Sequence, residues 1–123
     1  MVDSAAGIRE SGVYLPRSRL ERAAIAAATH WAKGARGRKA GGQRSCCNWD
    51  EDSVTMAVEA ARNCLTGRGR SSVESLALAS TTLPFADRSN AGIVATALDL
   101  EESTTVADVA SCQRAGTSAL LSA

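Results

Sequence analysis

Aromatic side chains are scarce in this chain: one Tyr, one Phe and two Trp make up 3% of 123 residues. The apolar content of 45% leans on Ala instead. Small side chains each bury little area, so one modest core with a thin stability margin is expected, as in a fragment or an interface-dependent piece. Charge of one sign is lacking as well. A net charge of +1 and a pI near 7.7 give no case for a nucleic acid or an anionic membrane as partner of the whole chain. No apolar run approaches the length of a membrane span, and Met1–Gly7 carries no basic-then-apolar leader pattern, so a cytoplasmic protein is expected. The four cysteines, Cys46, Cys47, Cys64 and Cys112, contain no C-x-x-C spacing. Neither a zinc site nor a disulfide framework is readable from them, and reduced thiols suit the cytosol.

What is present is unevenly placed. Between Arg22 and Arg44 stand six cations (Arg22, Lys33, Arg36, Arg38, Lys39, Arg44) and no acid, while acids gather at Asp50–Asp52 and Asp99–Glu102. A basic run beside glycines is commonly a solvated surface segment. Gly7–Leu15, with Ile8, Val13 and Tyr14, reads as a strand closed by Pro16. Ser18 and Glu21 have the spacing of a capping box, and Leu20, Ala24, Ala27, Ala28 and Trp31 would share one face of the helix that follows. Lys33–Asn48 lacks apolar periodicity and reads as a long loop.

Asp50-Glu51-Asp52 suits the positive end of a second helix, which buries Val54, Val58, Ala61 and Leu65 before Gly67 ends it. Carboxylates in that position act as caps more often than as catalysts. Val73–Ser80 is a continuous apolar run of strand length, and Thr81–Ser89 is then a loop. Ile93, Ala97 and Leu98 mark a short helix, Thr104–Ala110 another strand, and Gln113 to the end a small-residue helix. The order β-α-α-β-α-β-α predicts one α/β domain, mostly a parallel sheet with helices on both faces and right-handed crossovers.

The turn Asp108–Thr117 has chemical promise, because it places Cys112 where a buried strand hands over to a helix. Unsatisfied N–H groups at a helix start favour a thiolate and hence a nucleophile. The plain alternative is a buried, inert cysteine. His30, the only histidine, reads as a surface or helix-end residue.

Three stretches, Gly12–Pro16, Asp50–Arg62 and Arg114–Leu120, resemble in order and spacing the successive landmarks of hydroxymethylglutaryl-CoA synthase-like enzymes of the thiolase superfamily, a group that includes ketoacyl synthase III. The resemblance runs from about Gly7 to Ala123 and covers the N-terminal portion of such an enzyme. It implies the N-terminal half of the thiolase fold, the C-terminal half being absent from residues 1–123. It further implies a homodimer or thiolase-like complex of lipid metabolism in which a cysteine takes an acyl group from acyl-CoA or acyl-carrier protein. No cofactor is implied beyond the CoA thioester, which is substrate, and a His and an Asn or second His from the other half complete the family's site.

Cys112 is then the candidate nucleophile, and Trp31, Arg36 and Arg38 are candidates for holding CoA, the guanidiniums on its phosphates and the indole on its adenine. Two departures stand out. Counting back from Arg114-Ala115-Gly116-Thr117, the family's cysteine position falls on Gln113, one residue after Cys112, and Thr81 occupies the place of the synthases' acid/base glutamate. Ketoacyl synthase III-like or polyketide-type chemistry is therefore the better expectation than a true hydroxymethylglutaryl-CoA synthase. The alternative is a non-catalytic structural subunit of a thiolase-like acyltransferase complex.

Overall fold

The computed structural model describes residues 7–32, 41–110 and 112–123. The chain divides into two compact units, residues 15–51 and the remainder.

The smaller unit is an antiparallel ribbon with a short helix. Strand β1 (Ser18–Glu21) pairs with β2 (Gln43–Cys46), Ser18 opposite Cys46 and Glu21 opposite Gln43. Helix α1 (Arg22–Ala28) follows β1 directly, and a 3-10 turn, His30–Ala32, follows α1. This overturns two expectations. Ser18 and Glu21 form no capping box: both lie in a strand, and Glu21, at the N-cap of α1, makes no side-chain cap hydrogen bond. Its carboxylate instead accepts from Gln43 Nε2 at 2.6 Å across the ribbon. The long loop expected over Lys33–Asn48 contains β2, while residues 33–40 lie outside the described residues. In both places a partner distant in sequence satisfies the backbone, which local spacing does not reveal.

The larger unit carries the core. Helix α2 (Ser53–Cys64) is capped by Asp52, whose carboxylate accepts from Val54 N at 2.9 Å and Thr55 N at 2.8 Å. Thr55 Oγ1 in turn accepts from Asp52 N at 2.8 Å, which completes a reciprocal capping box. Strands β3 (Ser75–Ala79) and β4 (Thr105–Val109) pair in parallel, Ser75 opposite Thr105 and Ala79 opposite Val109. Helix α3 (Asn90–Ala97) lies between them in sequence, as parallel pairing requires of a crossover, and α4 (Ala115–Ser122) follows β4.

Val54 and Val58 of α2 meet Leu78 of β3 and Ala91, Val94 and Leu98 of α3 in one buried cluster, to which Leu76 and Ala61 add partly buried surface. Each Val or Leu among them stabilises the unit by roughly 1.5–3 kcal/mol when fully buried. Ala115 of α4 is also buried. Gly67, at φ 77°, turns the chain after α2, as its left-handed conformation favours glycine.

Both expected strands at Val73–Ser80 and Thr104–Ala110 are thus present, in one sheet and parallel. The third, Gly7–Leu15, is not a strand. Its residues 7–14 make no ladder and lie instead against α2. A Cβ on Gly12 would stand 2.5 Å from Cys64 N and 2.7 Å from Cys64 Cβ, and Glu10 pairs with Arg68 at 2.6 Å just beyond that helix. Close packing on a helix backbone, rather than pairing with a strand, is what this segment's glycine serves.

Candidate functional site

Because β3 and β4 are parallel, the two chain segments that leave them emerge on the same edge of the sheet, the carboxyl-end edge where open α/β sheets bind ligands. The ladder runs one step past the strands, Ser80 N donating to Val109 O at 3.1 Å. From there one segment becomes the loop 80–89 and the other the turn bearing Cys112.

Asn90 and Asp108 organise this edge. Asn90 is 1% exposed. Its side chain closes the loop on itself, Oδ1 accepting from Phe85 N at 3.1 Å and Nδ2 donating to Phe85 O at 2.8 Å. The Asp108 carboxylate, on the last turn of pleat in β4, accepts from Asn90 N at 2.8 Å, Asn90 Nδ2 at 3.0 Å and Ala91 N at 2.6 Å. It therefore serves the open N–H groups at the start of α3, supplementing Ser89, whose Oγ accepts from Gly92 N at 2.9 Å. Burial pushes the Asp108 carboxyl up, but the hydrogen bonds from the Asn90 side chain and the Asn90 and Ala91 backbones outweigh it and hold it below the usual carboxylate range. The N-terminus of α2 joins the same edge through Ser53 Oγ, which donates to Thr82 O at 2.9 Å. Neither Asn90 nor Asp108 was singled out from sequence; the available signal was a lone carboxylate in an otherwise apolar strand.

Cys112 is exposed on this edge. Its carbonyl accepts from Ala115 N at 3.0 Å, so it opens the turn that leads into α4. Helix α4 begins at Ala115, with Arg114 at the N-cap and no side-chain cap hydrogen bond, whereas a start at Gln113 was expected. Neither Cys112 nor Gln113, the N-cap positions for a start at Gln113 or Arg114, is a Ser, Thr, Asp or Asn that could cap an earlier start. Cys112 and Gln113 thus both lie in the turn and both are exposed. A shift of one residue there is not the rotation of about 100° it would be inside a helix.

The remaining candidates are placed as follows. Trp31 lies in the 3-10 turn of the smaller unit and is 81% exposed, and neighbouring His30 donates from Nδ1 to Ala27 O at 2.8 Å at the end of α1. Arg36 and Arg38 lie outside the described residues. Thr81 is exposed in the loop after β3. Among the described residues no group of His, Cys, Asp and Glu is arranged to hold a metal ion.

No protein-family model matches the chain. It is 34% identical over 119 residues to the hydroxymethylglutaryl-CoA synthase of Methanococcus vannielii, covering 93% of this chain and 34% of that protein. With the corresponding enzyme of Methanocaldococcus jannaschii it shares 33% identity over 120 residues, 94% of this chain and 34% of the other. The chain therefore spans about a third of the length of the curated relatives it matches.

Among solved structures, the 3-oxoacyl-(acyl carrier protein) synthase III of Pseudomonas aeruginosa superposes with a TM-score of 0.69 at 26% identity, covering 92% of this chain and 34% of that one. The β-ketoacyl-(acyl carrier protein) synthase III of Thermus thermophilus gives a TM-score of 0.74 at 19% identity, covering 96% and 37%. The fold is thus that of the thiolase-like condensing enzymes, and over nine-tenths of its length the chain is similar in sequence to members of that group.

Proposed function

We propose that this chain is the cysteine-bearing N-terminal part of a thiolase-like acyltransferase that transfers or condenses acyl groups from acyl-CoA or acyl-carrier-protein thioesters. The observation that carries the reading is the position of Cys112: exposed, in the turn between a parallel strand and a helix, on the carboxyl-end edge of the sheet. In the proposed transfer step, Cys112 Sγ attacks the thioester carbonyl as a thiolate. The C–S bond to CoA breaks, CoA leaves as a thiolate that takes up a proton, and the acyl group remains on Cys112 as a new thioester. In the condensing reaction a carbanion would then attack this thioester, the new C–C bond forming as the acyl C–S bond breaks and Cys112 leaves as a thiolate, ready for the next acyl group.

The part played by the described residues is positional. Asn90 and Asp108 tie loop, helix start and strand end together, so the edge that presents Cys112 is held from several sides. Groups that polarise the thioester oxygen are assigned to the part of such an enzyme beyond residues 1–123. Trp31, with its ring facing solvent, is available to stack on adenine, and Arg36 and Arg38 are assigned to the CoA phosphates. No helix among the described residues is long and apolar enough to cross a membrane. The same reading places the assembled enzyme in the cytoplasm as a homodimer serving lipid metabolism.

Incubation of the intact gene product with acetyl-CoA tests this. Intact-mass spectrometry should show one acetyl group gained per chain, with free CoA released in equal amount. An unchanged mass with a series of acyl-CoA and acyl-carrier-protein donors would favour the non-catalytic subunit.

A further inference from the structure

At the far end of α2 there is a concavity that none of these roles uses. Arg62 from the last turn of α2, Arg68 and Gly67 from the chain that follows, and Arg70 from the 3-10 turn Arg70–Ser72 line it, beside half-buried Leu65 and above the buried Leu98. These residues precede β3 and β4, so the cavity lies toward the amino-end edge of the parallel pair, opposite the edge that bears Cys112. Its volume is about 360 Å³, within the usual range for small-molecule sites of roughly 300–1,000 Å³.

The three guanidiniums are held in place by groups outside the lining. Arg62 pairs with Glu59 at 2.7 Å and reaches Ala97 O at 3.5 Å, Arg68 pairs with Glu10 at 2.6 Å, and Arg70 meets Asp99 at 3.6 Å. Their side chains are between 39% and 53% exposed, half out of water but open to a ligand. Each keeps N–H donors beyond those its partners consume. The contact with Asp99 is the loosest, and Asp99 is itself 92% exposed, so that pair yields readily to a stronger anion. Gly67 contributes no side chain, and a Cβ there would meet nothing within 4 Å, which leaves that wall open. Three guanidiniums exceed what one carboxylate engages, and their planar forks match the oxygens of phosphate.

We propose that this cavity binds a phosphate-bearing small molecule, its phosphate or pyrophosphate group held by Arg62, Arg68 and Arg70 and the rest lying over Leu65.

Pyrophosphate is the probe. Added to the isotopically labelled intact gene product, it should produce saturable amide shifts centred on Thr66–Arg70 and on Leu98 and Asp99. Replacing Arg68→Ala and Arg70→Ala together should weaken binding at least tenfold by calorimetry, and Arg70→Lys alone should weaken it several-fold, since the charge stays and the fork is lost. Shifts confined to other residues, such as the basic segment 33–44, or shifts that do not saturate, would overturn the proposal. So would unaltered affinity in the double variant. If that variant does not fold, the shift map on the unaltered chain and Arg70→Lys decide. Neither Cys112 nor acyl transfer enters these readouts, so the outcome is independent of the acyltransferase reading.

Discussion

At the scale of single residues, Gly12 and Cys112 show what a side chain, or its absence, decides. Gly12 lies against the backbone of α2, and a methyl group there would meet Cys64 N and Cβ at 2.5 and 2.7 Å. These are atoms of a helix that also anchors the core through Val54 and Val58, so neither partner can move cheaply. Gly12→Ala should therefore destabilise the fold by about 1–3 kcal/mol, the usual cost of overpacking, read as a lower urea midpoint. A destabilisation no larger than that of an exposed substitution such as Gly41→Ala, where a Cβ meets nothing within 4 Å, would refute the contact. Cys112 was legible from sequence as a nucleophile candidate, but its setting was not. The helix starts later than expected, and the cysteine stands ahead of its first turn. The pull of the helix dipole on a thiolate falls off beyond that turn, so reactivity there owes more to exposure than to the dipole.

At the scale of elements, the start of α3 depends on a group from another element. Asp108 of β4 accepts from the first two N–H groups of α3 and from the Asn90 side chain. Its carboxyl is held below the usual carboxylate range, so the stability it contributes is present above the unfolded value, about pH 3.9, and is lost as pH falls through the lower folded value. The residue is exposed and its hydrogen bonds are only partly buried, which keeps the contribution small. Asp108→Ala should cost about 1 kcal/mol near neutral pH, as loss of a helix cap does. The difference between the two proteins should shrink below about pH 4; a difference that grows on acidification would contradict this assignment.

The same element scale separates what sequence could reveal from what it could not. The acidic start of α2 and the runs of β3 and β4 are readable because their signals are local: a cap, and a span of apolar residues, although β4 is exposed over Thr105–Asp108 rather than buried. The spacing at Ser18–Glu21 signals a helix start because the strand's partner, Gln43–Cys46, is distant in sequence and carries no apolar periodicity. Gly7–Leu15 carries a strand signal because alternation does not distinguish pairing with a strand from lying along a helix.

At the scale of the whole molecule, the apolar surface is incompletely covered. Leu120 and Leu121 of α4 are 63% and 83% exposed, and Ile8 and Val13 are 79% and 67% exposed. Exposed apolar surface of this extent favours association, so residues 1–123 alone should self-associate in sedimentation at micromolar concentrations, where a compact monomer with no tendency to aggregate would count against it. Acyl transfer to Cys112 is open to a chemical test. The intact gene product is treated with acetyl-CoA, digested and mapped by mass spectrometry, beside Cys112→Ala and a Cys112→Ala/Gln113→Cys variant. The account predicts an acetyl thioester on Cys112, none in Cys112→Ala, and partial recovery at position 113, since both positions lie exposed in the same turn. Acetylation that persists in Cys112→Ala, or that maps to Cys46, Cys47 or Cys64 in the unaltered protein, would contradict it.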